Sequence, residues 1–156
     1  MIRFWVGSQG CDGFRMDAVP FLYEDPEFRD EPLSGKSVVD EFDYNYLDHI
    51  YTFNLPRVYD QIESFNNVMG EFEEKDGIDR LAMVEALSDD LSMEDLMRYY
   101  DSCDFAFNFN FITDLFEPLT PGQLVDQVNS WLHNMPDGAT ANWVVSFIAI
   151  RNTLLF

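Results

Sequence analysis

An arginine and an aspartate stand two residues apart in the segment Asp12–Val19, at positions 15 and 17. Alternation along a buried strand places Arg15 and Asp17 on one face and Phe14, Met16 and Ala18 on the other. Two residues span about 6.6 Å, so the guanidinium can reach the carboxylate. Such a neighbour keeps an aspartate ionised, as a nucleophilic carboxylate must be at neutral pH. Most pairs at this spacing are structural, so this pattern alone leaves both interpretations open.

A second carboxylate, Glu85, ends an apolar run of strand length that begins at Leu81. An ionisable group at the end of a buried strand is costly unless it has a partner or a task. Parallel barrels carry their chemistry where strands end and loops begin, and both Asp17 and Glu85 fit that position. One carboxylate held ionised and another in apolar surroundings form the pair that glycoside hydrolysis needs.

The elements that must position these groups alternate between strand and helix, which predicts βαβ units and a parallel sheet. We expect four strands, three complete crossovers and, because a (β/α)8 barrel needs about 250 residues, a partial TIM barrel of the α/β class. The predicted strands are 13–19, 80–86, 105–112 and 141–145, and the predicted helices are 2–8, from 55 to before 76, from 92, and 121–134.

Apolar residues at helical spacing support the predictions of the two longest helices. In the helix that begins at residue 55, these residues form a stripe that is expected to face inward. The last helix, introduced by Thr120 and Pro121, is predicted to turn a similar stripe to the core. The two stripes are Val58, Ile62, Phe65, Val68, Met69 and Phe72, and Leu124, Val125, Val128, Trp131 and Leu132.

The segment from Pro20 to Asn54 is rich in acidic, aromatic and turn residues, and we predict little regular structure in it. It follows the first strand on the side where a barrel places its catalytic groups. A loop in that position shapes the substrate cleft.

Composition narrows the classes of partner. The chain has 156 residues, 47% of them hydrophobic, and a net charge of −20 from 9 basic and 29 acidic side chains. A packed core is therefore possible, whereas nucleic acid and anionic membrane surfaces are disfavoured as partners. The acidity is spread along the chain and favours solubility. No apolar run reaches the length of a membrane span, and no signal peptide is recognised at the start.

The few cysteines and histidines predict neither a disulfide framework nor a metal site. Cys11 and Cys103 are expected to be small buried residues or free thiols, and His49 and His133 match no metal spacing. We therefore assign no metal ligand and no cofactor.

Longer strings resemble the α-amylase superfamily (glycoside hydrolase family 13), and within it the insect-type maltases, or α-glucosidases. Asp12–Val19 is similar to the second signature segment of that family, on the fourth barrel strand, and Val84–Ala86 to the third, on the fifth strand. The resemblance runs from residue 2 to about residue 144 and implies roughly barrel strands 4 to 7. The strings that indicate maltases are 27–34, 46–52, 107–111 and 134–138.

The resemblance also implies roles. Asp17 matches the nucleophile, Glu85 the general acid/base, and Arg15 the arginine that positions the nucleophile. Ala18 matches a position where a small residue accompanies α-1,4 preference and valine accompanies α-1,6 preference. The implied partner is a small α-glucoside, with retention of configuration. The parent family is extracellular or membrane-associated; a calcium site elsewhere in the parent remains open.

Part of the family pattern has no counterpart. The first signature belongs to an earlier strand, and the fourth should follow Val144, where the chain instead continues with a tail, 146–156, unlike the family. We therefore expect one partial catalytic domain over 1–145 and an inactive chain as truncated. Two alternatives stay open: a non-catalytic relative like the amino-acid-transporter heavy chains, and a sugar-binding protein. Those relatives usually lose the catalytic residues, which favours enzymatic descent here.

Overall fold

The computed structural model describes residues 1–37, 40–87, 91–115 and 118–144. The predicted tail, 146–156, lies outside these residues, as does the end of the predicted fourth strand. The described residues form an α/β structure around a parallel sheet, which confirms the predicted class.

The sheet has three short parallel strands in chain order: β1 (Gly13–Met16), β2 (Leu81–Val84) and β3 (Phe105–Ala106). All three run parallel and adjacent, as predicted. In this register Arg15 lies opposite Met83, and Met83 lies opposite Phe105. The helices are α1 (Ile2–Gln9), α2 (Arg57–Asp76), α3 (Met93–Arg98), α4 (Asn110–Thr113) and α5 (Pro121–Asn134).

Helices cover one face of the sheet. Ala82 and Val84 are fully buried on that face and join a core that includes Val6 of α1 and Ile62 and Met69 of α2. The other side chains of the predicted α2 stripe pack in or against this core, so that prediction is confirmed. The strand residues that alternate with Ala82 and Val84 point to the opposite face, which stays open in the described part of the chain: Leu81 is 49% exposed.

The first strand is shorter than predicted. It ends at Met16 rather than near Val19, because Ala18 adopts a left-handed conformation (φ 47°) that a strand does not allow. A short 3-10 turn over Val19–Phe21 follows directly. The alternation prediction holds for β1, whose Phe14 and Met16 pack against the core, but not for Ala18, which is exposed.

The predicted strand 105–112 is wrong beyond Ala106. Asn108 accepts a hydrogen bond from the backbone N–H of Asn110 on its side-chain oxygen (3.1 Å). This local bond from residue i to i+2 turns the chain away from an extended course and leads into α4. Alternating phenylalanine and asparagine is therefore no sign of a long strand here, because the asparagine side chain competes with the ladder.

Residues 141–144 of the predicted fourth strand have no strand assignment, although they lie beside β3. The side-chain amide of Asn142 accepts from the backbone N–H of Asn108 (2.8 Å) and donates to the carbonyl of Ala106 (2.7 Å). The backbone N–H of Val144 donates to the carbonyl of Asn108 (3.0 Å). The side chain of Asn142 thus makes the hydrogen bonds to Ala106 and Asn108 that the backbone of a fourth strand would make.

The predicted inward stripe of α5 is wrong for three residues. Trp131 is fully buried, but Leu124, Val125 and Leu132 are between 37% and 55% exposed. Among the described residues α5 packs on α3 and α4, which are too short to cover its whole apolar face. The predicted start is confirmed, because Thr120 and Gln123 form a capping box.

The segment 20–54 has little regular structure in its described part, as predicted. It contains short 3-10 turns and one isolated antiparallel bridge, between Leu33 and Leu47. Side chains hold it instead: Arg29 forms two 2.7 Å bonds to the carboxylate of Asp25 and covers the ring of Tyr51. The hydrogen bonds from Arg29 lower the pKa of Asp25 below its usual value.

Gly13 provides a test of the pairing between β1 and β2. A Cβ atom at this position would lie 2.5 Å from the carbonyl oxygen of Leu81. Gly13→Ala in the full-length protein is therefore expected to lower the free energy of unfolding, measured by denaturant titration, by about 1–3 kcal/mol. Gly70→Ala is the matched control: nothing lies within 4 Å of its added Cβ, and it sits inside α2. It should raise stability by about 0.5–1 kcal/mol, and equal effects of the two changes would contradict the close approach.

Candidate active site

Two adjacent parallel strands bring the predicted site residues together. Arg15 lies within β1, Asp17 follows that strand directly, and Glu85 follows β2 directly. The carboxyl ends of neighbouring parallel strands meet at one edge of a sheet. Both carboxylates therefore lie at the same end of the sheet, as the sequence predicted.

A single guanidinium nitrogen contacts both carboxylates. Nη2 of Arg15 is 2.8 Å from Oδ1 of Asp17 and also donates to Oε2 of Glu85. Two oxygens bound to one nitrogen lie at most about 6 Å apart, twice a hydrogen-bond length. The sequence predicted the pair of Arg15 with Asp17 but missed its pair with Glu85, because that contact depends on the register of strands about seventy residues apart.

The two carboxylates differ in their surroundings. The side chain of Asp17 is 71% exposed, whereas that of Glu85 is 17% exposed. Arg15 is about half exposed, and its guanidinium carbon lies 5.7 Å from the centre of the Phe107 ring. One carboxylate therefore faces open solvent beside a cation, and the other is largely shielded. Such a pair can divide nucleophilic and acid/base work between its members.

Backbone bonds fix the two carboxylate-bearing segments to each other. The N–H of Glu85 donates to the carbonyl of Met16 (2.8 Å), and the N–H of Val19 donates to the carbonyl of Glu85 (3.0 Å). Asp17 and Ala18 lie between Met16 and Val19, the two residues that make these bonds on the first segment. The turn that carries Asp17 is thus anchored at both ends to the backbone around Glu85.

A cavity of about 360 Å³ opens beside the carboxyl ends of β2 and β3. Phe107 lines this cavity, and its ring also lies beside the guanidinium of Arg15. None of Arg15, Asp17 and Glu85 lines it. Most of its lining residues are apolar, and polar side chains come from α4 and the residue after it: Ala86, Leu87, Leu91, Met93, Leu96, Phe107, Phe109, Asn110, Thr113 and Asp114.

Neither cysteine takes part in the contacts described above for Arg15, Asp17 and Glu85. Both cysteines are free, and Cys103 is buried and donates to the carbonyl of Tyr99 (3.2 Å). Burial raises the pKa of the Cys103 thiol to about 12, so it stays protonated. Across 1–37, 40–87, 91–115 and 118–144 there is no cluster of three or more His, Cys, Asp or Glu side chains suited to a metal ion.

Comparison with known proteins assigns the chain to a family. A model of the alpha-amylase catalytic domain matches residues 1–146, which is most of the chain. The chain belongs to the alpha-amylase family. This is a glycoside hydrolase family, and the resemblance noted in the sequence is confirmed.

Relatives of two kinds are similar to the chain. Maltase 1 of Drosophila virilis is 40% identical over 93% of this chain and 23% of its own length. A human amino acid transporter heavy chain is 30% identical over 100% of this chain and 25% of its own length. The chain thus spans about a quarter of the length of these curated relatives.

A solved structure supports the fold. The alpha-glucosyl transfer enzyme XgtA superposes with a TM-score of 0.67 over 93% of this chain and 26% of its own, at 24% identity. The described residues thus share the fold of part of an alpha-amylase-family enzyme. Within the described ranges, no helix is both long enough and apolar enough to cross a membrane.

Proposed function

We propose that the protein containing this chain is an α-glucosidase, which removes terminal α-1,4-linked glucose from maltose and short oligosaccharides with retention of configuration. In this proposal Asp17 attacks the anomeric carbon and forms a covalent glycosyl–enzyme. Glu85 first protonates the leaving oxygen and then, as the general base, activates the water that hydrolyses the intermediate. Arg15 holds the nucleophile in place through its 2.8 Å ion pair with the Asp17 carboxylate.

One observation carries the proposal: a single nitrogen of Arg15 contacts both carboxylates at the carboxyl end of the sheet. Retaining glycosidases need their two carboxyl groups about 5–5.5 Å apart, and a shared nitrogen keeps the two contacting oxygens no more than about 6 Å apart. Inverting enzymes need about 6.5–9.5 Å to admit a water between the groups. The contact therefore supports retention over inversion.

The finer points of the proposal rest on the family resemblance. We propose that β1, β2 and β3 are the fourth, fifth and sixth strands of a (β/α)8 barrel, and that residues 1–145 are part of one catalytic domain. Ala18 occupies the position after the nucleophile and favours α-1,4 over α-1,6 linkages. Its exposed side chain beside Asp17 is compatible with contact to a substrate. Extracellular action fits the name of a further relative, the salivary alpha-glucosidase of Anopheles gambiae, which is 36% identical over 93% of this chain.

The direct test is an assay of the full-length protein on maltose, isomaltose and a chromogenic α-glucoside. We expect hydrolysis of maltose in preference to isomaltose, and the α-anomer of glucose as the first product by proton NMR. Release of the β-anomer would contradict the retaining mechanism. Binding of maltose without any hydrolysis would support a sugar-binding protein instead.

The second candidate is a non-catalytic relative, which the similarity to a transporter heavy chain favours. Against it stands the presence of Asp17 and Glu85, both in contact with Arg15. A non-catalytic protein has no need to keep two carboxylates around one guanidinium at a strand end. The same assay decides, since a heavy chain would release no glucose.

The 156-residue chain by itself is expected to show no measurable maltase activity. The open face of its sheet leaves Leu81 exposed and, in the described residues, β1 pairs only with β2, so an unpaired edge favours aggregation. The first and fourth family signatures also have no counterpart in these residues, and loss of one cooperating group commonly costs orders of magnitude in rate. Size-exclusion chromatography and a glucose-release assay check this expectation. Robust turnover by a monomeric 156-residue chain would overturn it.

A further inference from the structure

Asn54 lies at the end of the irregular segment, far in sequence from both carboxylates, and its side chain joins two tyrosines. Its Nδ2 donates to the hydroxyl of Tyr59 (2.9 Å), and its Oδ1 accepts from the hydroxyl of Tyr99 (2.8 Å). The hydroxyl of Tyr59 in turn donates a hydrogen bond to the carbonyl of Asp95 (3.3 Å). Donors and acceptors therefore alternate along the network.

This network sits inside the core rather than on the surface. Tyr99 is fully buried and Tyr59 is 6% exposed, and their ring centres are 4.7 Å apart. Burial raises the pKa of both hydroxyls above the usual value, so both stay protonated and can donate. Tyr59 belongs to α2 and Tyr99 follows α3. The amide of Asn54 is thus held by two separate parts of the fold.

The backbone of Asn54 is hydrogen-bonded to the segment that leads back to the candidate site. Its N–H donates to the carbonyl of Pro20 (2.8 Å). Pro20 is fully buried and follows Val19, whose N–H binds the carbonyl of Glu85 (3.0 Å). Asp17 lies only two residues before Val19. Hydrogen bonds on the side chain and the backbone of Asn54 therefore link the buried tyrosines to Pro20, which the backbone joins to Asp17.

We propose that Asn54 is a positioning residue, which holds the turn from Asp17 to Pro20 in register with Glu85. It touches neither carboxylate, and it acts through Pro20 and Val19. Its effect on catalysis rests on the function proposed above, whereas its effect on the position of Asp17 does not.

Few side chains could replace this asparagine. Its φ is 47°, in the left-handed region that asparagine and glycine tolerate well. Position 54 also needs a short side chain that carries one hydrogen-bond donor and one acceptor. Glycine keeps the backbone conformation without strain but removes the amide, so Asn54→Gly isolates the side-chain network.

The kinetic test uses the full-length protein with Asn54→Gly and Tyr99→Phe. A displacement of about 1 Å can cost about 100-fold in rate, so we expect kcat on maltose to fall roughly 10- to 100-fold with KM changed less than about twofold. Tyr100→Phe is the matched control: the neighbouring tyrosine donates to the carbonyl of Thr140 (3.2 Å) and is not linked to Asn54. Its kcat should stay near that of the wild type. Unchanged kcat in Asn54→Gly, or an equal fall in Tyr100→Phe, would overturn the proposal.

A structural test separates this inference from the proposed activity. Crystal structures of the full-length wild type and Asn54→Gly should show the Asp17 carboxylate displaced from Arg15 while β1 and β2 keep their register. An Asp17–Arg15 pair that stays in place would overturn the inference even in an active enzyme. A wild type without glucosidase activity would refute the proposed function alone, because displacement of Asp17 would still support the positioning role.

Discussion

Asp17→Asn in the full-length protein is expected to lower kcat on maltose by on the order of 10⁴-fold, the scale seen when one member of a cooperating catalytic set is lost. Asparagine has nearly the same shape but carries no charge, so it neither attacks the anomeric carbon nor forms the 2.8 Å ion pair with Arg15. Because the side chain is 71% exposed, the substitution buries no unpaired group and the fold should persist.

Steady-state assays on maltose measure kcat, and circular dichroism of the same preparation shows whether the fold persists. Asp126→Asn is the control, since Asp126 is an exposed aspartate of α5, away from the site. A mechanism-based fluoroglucoside should label the wild-type protein on Asp17 and leave Asp17→Asn unlabelled. Label on a different carboxylate, or more than a tenth of wild-type activity in Asp17→Asn, would remove Asp17 from the role of nucleophile.

Glu85→Gln is expected to have an effect that depends on the leaving group. General acid catalysis contributes about 10²–10⁴-fold, so hydrolysis of maltose, whose leaving sugar needs a proton, should fall by that factor. A dinitrophenyl α-glucoside needs no proton to leave, so formation of the glycosyl–enzyme should be affected far less. Glutamine also loses the ion pair of Glu85 with Arg15, whereas the Arg15–Asp17 ion pair remains and keeps the nucleophile in place.

Kinetics with the two substrates, with and without added azide, test this assignment. Azide needs no general base, so it should restore turnover of the activated substrate and yield an α-glucosyl azide. Glu74→Gln, on the exposed surface of α2, is the control and should leave both rates unchanged. An equal loss on both substrates, with no response to azide, would show that Glu85 has a structural role rather than an acid/base role.

The sequence was a good guide where a short local pattern decides the structure. The apolar run before Glu85 predicted β2, the proline and apolar spacing predicted α2, and Thr120 with Pro121 predicted the start of α5. The placement of both carboxylates at strand ends also followed from local pattern, because a parallel sheet aligns its carboxyl ends. These features depend on backbone period and capping, which neighbouring residues largely determine.

Features that depend on distant partners were not predictable in this way. The contact of Arg15 with Glu85 needs the register of β1 on β2, and the network around Asn54 joins residues that are up to 45 positions apart. The false strand at 105–112 has the opposite cause. Its alternation is genuine, but the side chain of Asn108 bonds locally to Asn110 and overrides it. A polar residue that can bond its own backbone therefore weakens an alternation argument.

The amide of Asn142 changes how the edge of β3 opens. The N–H of Asn108 is held by that one side chain, whereas the N–H of Glu85 is held by the backbone of β1. Release of the first needs the Asn142 side chain to rotate, which also breaks its bond to the carbonyl of Ala106. Release of the second needs β1 and β2 to separate, which is a cooperative opening with a higher free energy. Amide hydrogen exchange at Asn108 would thus report the motion of one side chain, and exchange at Glu85 would report the stability of the strand pair that holds the two carboxylates together.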